Sequence, residues 1–373
     1  MSTTHVTTRI ATLVKNMEEH GFAGMAVNAG PSLTYLTGLH FHLMERPVVF
    51  VFTPASPVTI ILPELERAKL TGLPFPASVY PYGEDPGGWE NIFKEALEAI
   101  GLSGAKIGVE PRQLRLLEYK LLRGACQDVQ FTDGSSLVAG PRSIKDDDEL
   151  LLMRQAVMIA EDALEETLLK VKIGVSEKEI ASELFLQLIG HGSETSLPFS
   201  PIVAAGPNGA NPHAKPSGRK LQEGDLLVID WGASFGGYAS DLTRTFGVGK
   251  LDAESEKIHH LVQRANEAGR LAGKPGVTCD FVDSTTRNVI EQGGYGQHFT
   301  HRTGHGIGME CHEEPYIRNE NNQQLQAGMT YTIEPGIYLP GKNGVRIEDD
   351  VVVTLTGAES LSTMSRKIRY VGA

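Results

Sequence analysis

The 373-residue sequence has little cysteine: Cys126, Cys279 and Cys311 are all of it, odd in number and far apart. That usage excludes a disulfide-stapled scaffold and fits a reducing compartment, so the cytoplasm is the expected location. There is no apolar run near the roughly 20 residues needed to cross a bilayer. The opening MSTTHVTTRIATLVKNMEEHGF has no apolar leader core and carries Glu18 and Glu19, so neither a membrane nor export is expected. Positive charge is not in excess either: 34 Lys and Arg against 46 Asp and Glu leave −12, with both signs interspersed. Without a basic stripe to neutralise a phosphate backbone, no nucleic acid partner is expected. What remains is an ordinary globular composition, 40% apolar, with length for two domains or one large one.

Ile10, Leu13, Val14 and Met17 recur at helical spacing up to Gly21. Short β-rich runs at 24–27, 48–53, 58–62 and 107–110 then alternate with helical stretches at 64–70, 89–100 and 112–122, an α/β pattern. The charges of 112–122 read as a solvated face. A long helical repeat opens at the acids Asp146 to Asp148, which suit a helix N-terminus and put the domain boundary at 143. Beyond it, helices at 147–170 and 176–190, the second opened by a Ser176/Glu179 capping box, precede strands at 225–232 and 237–247. Helices at 252–272 and 279–292 then precede strands at 328–338 and 345–355. Two helices and a strand pair, twice over, suggest an α+β domain of duplicated halves.

Acids concentrate in the strand pairs. In Asp230-Trp-Gly-Ala-Ser-Phe-Gly-Gly-Tyr-Ala-Ser-Asp241, a two-residue turn at Phe235-Gly236 sets Asp230 directly opposite Asp241. A turn over Pro340 to Gly344 likewise sets Glu334 opposite Glu348. Like charges facing each other on neighbouring strands are destabilising, and apolar runs flank both pairs, so solvent or a cation must compensate. Two such pairs in corresponding halves favour a cation. His298, His301, His305 and His312 crowd into HFTHRTGHGIGMECHEEP, where glycines around His305 leave an imidazole open to close approach by a metal or substrate. Four carboxylates and one neutral imidazole balance two divalent ions, and an oxygen-rich set with one nitrogen suits Mn²⁺, Co²⁺ or Zn²⁺. Cys311, a single thiol beside the motif, reads as packing. Strand alternation puts Thr243 on the face of Asp241, and Arg346 on the face of Glu348, where it can pair with a ligand or substrate carboxylate.

Several segments carry a family resemblance when taken together and in order. They are Asn211-Pro-His-Ala-Lys-Pro216, Asp230 to Asp241 followed by Leu-Thr-Arg-Thr245, Gly304 to Gly308 with His312-Glu-Glu-Pro315, Thr332-Ile-Glu-Pro-Gly336, and Gly344-Val-Arg-Ile-Glu-Asp349. The sequence resembles the M24 metallopeptidases of the pita-bread fold, in the branch of Xaa-Pro dipeptidase (prolidase) and aminopeptidase P. The resemblance implies a creatinase-like α/β N-terminal domain over 1–143 and an α+β pita-bread domain with pseudo-twofold duplicated halves over 144–373. It implies that Asp230 chelates the first of two divalent ions, Asp241 and Glu348 bridge both, and His305 and Glu334 complete the second, with Mn²⁺ the expected metal and Co²⁺ or Zn²⁺ the alternatives. Glu334 is then the proton shuttle, His213 and His312 donate hydrogen bonds to the substrate or the developing intermediate, and His301 shapes a pocket for proline. The expected reaction is hydrolysis of the Xaa-Pro bond at the N-terminus of a dipeptide or short peptide, by a homodimer. The alternative is a metal-dependent hydrolase or lyase of the same fold acting on a modified amino acid or other small molecule.

Overall fold

The computed structural model describes residues 3–372, and contacts within the chain divide it into the units Met1–Arg142 and Ser143–Ala373. In the first unit the opening helical repeat becomes α1 (Thr3–Glu19), with Val6, Leu13 and Met17 turned inward. A single sheet follows, built from β1 (Gly24–Asn28), β2 (Val49–Phe52), β3 (Val58–Pro63), β4 (Ala77–Tyr82), β5 (Lys106–Val109) and β6 (Gln130–Asp133) in the order β4-β3-β2-β1-β5-β6. The sequence reading missed β4 and β6 for one physical reason. Both are edge strands, β4 containing Pro81 and β6 polar and largely open, so neither carries the apolar run of a central strand. Helices α2 (Pro31–Thr37), α3 (Trp89–Glu98), α4 (Leu116–Ala125) and α5 (Ser135–Ser143) complete the unit, and Phe93, Leu97, Leu121 and Leu122 share a core with Ile61 and Ile107. The stretch 64–70 is a 3₁₀ helix. Nor is 112–122 simply a solvated face: Glu118 is fully buried, and the single Nε–H of Arg115 is shared between its two oxygens, at 3.0 and 3.1 Å. Enclosing a charge beside its counter-ion is a feature that charge periodicity alone does not reveal.

The second unit opens with α6 (Asp147–Leu168) and α7 (Glu177–Gly190), each with a reciprocal capping box. In α7, Ser176 Oγ accepts from Glu179 N at 3.3 Å while the Glu179 carboxylate accepts from Ser176 N at 2.8 Å; such a cap stabilises a helix by about 1 kcal/mol. These helices cover β7 (Ile202–Ala205), β8 (Leu226–Trp231) and β11 (Leu242–Val248), with the small hairpin β9 (Ser234–Phe235) and β10 (Tyr238–Ala239) between the last two. Leu164, Leu184, Val203, Ile229 and the fully buried Trp231 form their common core.

The second half repeats the order with α8 (Ala253–Ala272) and α9 (Cys279–Gln292). Its strands are β12 (Gly304–Gly306), β13 (Glu313–Ile317), β14 (Thr330–Ile333), β15 (Gly336–Leu339), β16 (Asn343–Arg346), β17 (Asp349–Val353) and β18 (Ala358–Ser360). The short β19 (Tyr370–Val371) returns to the first half, giving sheets ordered β19-β11-β8-β7 and β13-β12-β14-β17-β18. A bridge between Thr243 and Glu348 joins the halves, with Glu348 N donating to Thr243 O at 3.0 Å. Among the described residues, no helix is long and apolar enough to cross a membrane.

Candidate metal centre

The first acidic hairpin does not have the expected register. Its turn is Gly236-Gly237, at φ +59° and +79°, and Phe235 pairs with Tyr238. A two-residue hairpin turn of this hand needs positive φ at both central residues, which two glycines adopt without cost and Phe235 would not. The turn therefore lies one residue later than expected, each residue's partner shifts by two, and Asp230 lies opposite Thr243 instead of Asp241. The displacement spares the face: Asp241 stands two residues from Thr243, diagonal to Asp230 and on the same side. In the second hairpin the registers of Ile333 with Asp349 and of Gly336 with Arg346 place Glu334 opposite Glu348.

Because the Thr243–Glu348 bridge abuts the hairpins, their acids meet. Oxygen atoms of Asp230, Asp241 and Glu348 lie within 4.8 Å of one another, as do donor atoms of His305, Glu334 and Glu348. His305 sits on β12 with its Nδ1 3.2 Å from Gly306 O, which leaves Nε2 facing Glu334 Oε1 at 3.3 Å and Asp241 Oδ2 at 3.7 Å. A ring N–H committed to a carbonyl fixes the tautomer and turns the other lone pair outward, the usual posture of an imidazole ligand. The glycines flanking His305 serve a different purpose from the expected one. A Cβ on Gly304 would stand 1.8 Å from Thr332 O and one on Gly306 2.1 Å from Glu314 O, so they admit neighbouring backbone, not a ligand.

The electrostatics of the cluster are those of a candidate cation site. Burial and mutual repulsion raise Asp241 and Glu348 well above the carboxylate range, burial raises Asp230, and burial pushes Glu334 up to about 8. Burial and the neighbouring His312 keep His305 neutral. Four acids that resist ionising together, beside an unprotonated imidazole, are the arrangement that a bound dication relieves. Asp230 Oδ1 is moreover buried without a hydrogen-bond partner. The residues fit divalent ions with hard oxygen ligands.

The surrounding shell holds these groups in place. Arg346 Nη2 donates to Asp230 Oδ2 at 2.5 Å, so the arginine pairs with a candidate ligand. Its Nε donates to Thr243 Oγ1 at 3.1 Å, and Thr243 Oγ1 donates in turn to Glu348 Oε2 at 2.6 Å. Arg346 Nη1 reaches Pro212 O at 3.2 Å, tethering the loop that carries the exposed His213. It also donates to Tyr338 OH at 3.0 Å, and Tyr338 OH meets His301 Nε2 at 2.8 Å. His301 Nδ1 stands 2.7 Å from Arg302 O and 3.9 Å from Glu334 Oε2, and burial with nearby Arg346 lowers its pKa to about 3. His312 packs against His305 with ring centroids 4.0 Å apart and planes tilted by 54°, and a donor atom of each lies within 4.8 Å of the other and of an Asp241 oxygen. His298 stays outside, beside Gln297 and Tyr295.

Three contributors escaped the sequence reading. Tyr338 carried no signal of its own in the sequence. Cys311 is more than packing, since its thiol donates to Asp241 Oδ2 at 3.1 Å. Asp350, whose carboxyl burial keeps protonated, accepts from Asp241 N at 3.0 Å; the run of acids from Glu348 to Asp350 was the available signal. Behind the site, Arg244 Nη1 donates to Glu348 O at 2.6 Å and Nη2 to the fully buried Asp349 at 2.7 Å. Arg244→Met should therefore lower stability by about 3–5 kcal/mol, the scale of breaking a buried pair. Urea denaturation checks this, and a loss under about 1 kcal/mol would show that the other two arginines on Asp349, Arg366 at 2.8 Å and Arg270 at 3.7 Å, suffice for it.

A convergent, buried acid–imidazole cluster bridging two halves defines the chain as a metal-centre protein of duplicated α+β architecture. Residues 151–355 match metallopeptidase family M24 and residues 9–144 match the creatinase/prolidase N-terminal domain. The chain belongs to metallopeptidase family M24, and the fold is the pita-bread fold preceded by a creatinase-type domain. It is 34% identical to an Xaa-Pro dipeptidase of Lactobacillus delbrueckii subsp. lactis, across 95% of this chain and 96% of that one. Among solved structures it resembles a prolidase of Thermococcus sibiricus (TM-score 0.92, 34% identity, 98% and 99% of the two chains). It also resembles an X-Pro aminopeptidase of Thermotoga maritima (TM-score 0.84, 30% identity, 97% and 99%).

Proposed function

We propose that this metallopeptidase hydrolyses the peptide bond preceding proline, with Xaa-Pro dipeptides as its substrates. The observation that carries the reading is the meeting of Asp230, Asp241, His305, Glu334 and Glu348 in a chain that aligns along nearly its whole length with an Xaa-Pro dipeptidase. In this reading Asp230, Asp241 and Glu348 would hold one ion, and His305 and Glu334 would complete the site of a second. When bound, two divalent ions supply an activated water and polarise the scissile carbonyl. The oxygen-rich donor set supports Mn²⁺ over softer metals.

The protein's own groups do the rest. Glu334 is the most open of the four acids, with 15% of its side chain exposed against 10% for Asp230 and 7% for Asp241. It can take a proton at a carboxylate oxygen and return it to the departing amide nitrogen. His213 and His312, both exposed, donate hydrogen bonds to the carbonyl oxygen and the substrate backbone. His301, uncharged and locked between Tyr338 and Arg302 O, gives the proline ring a wall without a competing charge. Arg346 pairs with Asp230 and keeps the His213 loop near. The same reading takes the N-terminal domain as 1–143 and the catalytic domain as 144–373, and the protein as a cytoplasmic homodimer without nucleic acid or membrane partners. Its three free cysteines support the location.

The test is a metal-titrated assay on an Xaa-Pro dipeptide and an Xaa-Pro-Yaa tripeptide. Cleavage of the dipeptide alone is the expected result, and cleavage of the tripeptide would move the assignment to an aminopeptidase. No cleavage of either with Mn²⁺, Co²⁺ or Zn²⁺ would overturn the reading in favour of an altered substrate.

A further inference from the structure

The ladder of the second hairpin is interrupted where its acids stand. β14 and β17 pair as far as Ile333 with Asp349, and β15 and β16 pair from Gly336 with Arg346. Glu334, Pro335, Ile347 and Glu348 lie between the two sheets. Across this gap Ile347 N donates to Pro335 O at 3.4 Å, one of the two bonds that such an antiparallel pair exchanges. The return bond cannot form, because proline has no N–H. Ile347 is fully buried, so its carbonyl needs another donor.

Asn266 supplies it. This residue of α8 is fully buried, and the two hydrogens of its amide are shared among three acceptors: Ile347 O at 3.3 Å, Ile333 O at 3.0 Å and Asp349 Oδ2 at 3.0 Å. The orientation of the amide is forced. Arg270 Nε can only donate and stands 2.8 Å from Oδ1, so the NH₂ must face the carbonyls. Those two carbonyls belong to the peptide groups that lead into Glu334 and Glu348. The N–H of each group is held as well, Glu334 N by Thr303 O at 2.8 Å and Glu348 N by Thr243 O at 3.0 Å. Each acid-bearing peptide is thereby fixed at both ends. Thr303 and Thr243 each hold one acid, whereas Asn266 ties the two to each other. With His305, these acids form one donor group of the centre, their atoms within 4.8 Å of one another.

We propose that Asn266 is a positioning residue of the metal centre: by replacing the donor that Pro335 lacks, it sets the separation of Glu334 and Glu348, and with it the affinity for the ion at His305, Glu334 and Glu348. The inference rests on reading those acids as ligands, but not on which peptide is cleaved. The experiment is calorimetric titration of the chelator-treated, full-length protein with Mn²⁺. Wild type is compared with Asn266→Leu, which keeps the volume and loses the amide, and with Arg270→Met, which spares the donor and removes the partner of Oδ1. Wild type should take up two ions. In Asn266→Leu one Kd should rise about ten- to a hundredfold, the usual cost of removing a group that orients metal ligands, while the other changes far less. In Arg270→Met both should stay at their wild-type values. A general loosening of the fold, followed by scanning calorimetry of the metal-free proteins, would move both constants together or neither. With Zn²⁺ as a diamagnetic probe, the ¹⁵N resonance of the Asn266 amide in wild type should shift as the ion at His305, Glu334 and Glu348 binds, a measurement that needs no variant to fold. Equal constants in wild type and Asn266→Leu, a common rise of both, an equal effect of Arg270→Met, or an unmoved amide resonance would overturn the proposal. No metal uptake by wild type would overturn the ligand reading itself, and this inference with it.

Discussion

Glu334→Gln is expected to lower kcat by about two to four orders of magnitude, the contribution typical of a positioned acid–base group. The substitution keeps shape and one acceptor oxygen but removes the proton-exchanging oxygen, on the most open acid of the cluster and 3.3 Å from His305 Nε2. Since Glu334 is also placed as a ligand, the variant must be assayed with saturating Mn²⁺ and its metal content measured alongside. Two equivalents of metal with crippled turnover would isolate the shuttle role. Loss of one equivalent would make the carboxylate chiefly a ligand, and near-wild-type turnover would remove Glu334 from the mechanism.

The second large effect concerns stability. With no metal bound, burial pushes Glu334 up to about 8 from its ordinary value of 4.5, and Asp230, Asp241 and Glu348 shift the same way. A carboxyl held protonated by the fold contributes stability that is complete below the unfolded pKa and disappears as pH climbs through the folded one. For Glu334 that window runs from about pH 4.5 to about pH 8. The chelated protein should therefore lose stability across that range. Divalent ions compete with those protons, so Mn²⁺ should stabilise far more at pH 8 than at pH 5. At a hundredfold excess over Kd each ion contributes about 2.7 kcal/mol, about 5 kcal/mol for two. For a unit of roughly 150–250 residues that is about 10–20 °C in Tm. Scanning calorimetry with EDTA or Mn²⁺ at the two pH values checks it. A pH-independent gain would mean that the acids are ionised before metal arrives.

Much of the architecture was legible along the chain because helix and core-strand signals are local. Apolar period, the Ser176/Glu179 capping box and the acids before α6 each depend on residues a few positions apart, and α6 to α9 follow the expected spans closely. The edge strands β4 and β6 were not legible, since their pairing owes little to their own side chains. At the site the acids and His305 were readable from charge placed against apolar runs. The register of the first hairpin was misread because the choice among adjacent two-residue turns hinges on which pair tolerates positive φ. Gly236-Gly237 wins, and an even displacement kept Asp230 and Asp241 on one face.

The amino-acid order alone picked out the acids and the imidazole of the candidate cluster and determined which face of each strand its acids occupy, since alternation along a strand is a property of the backbone. Tertiary structure decided how near they come. The Thr243–Glu348 bridge draws two hairpins about a hundred positions apart into one cluster, and Tyr338, Cys311 and Asp350 gain their parts only through partners distant in sequence. Hydrogen bonds and burial between remote segments are set by packing, and packing leaves no period in a sequence to read.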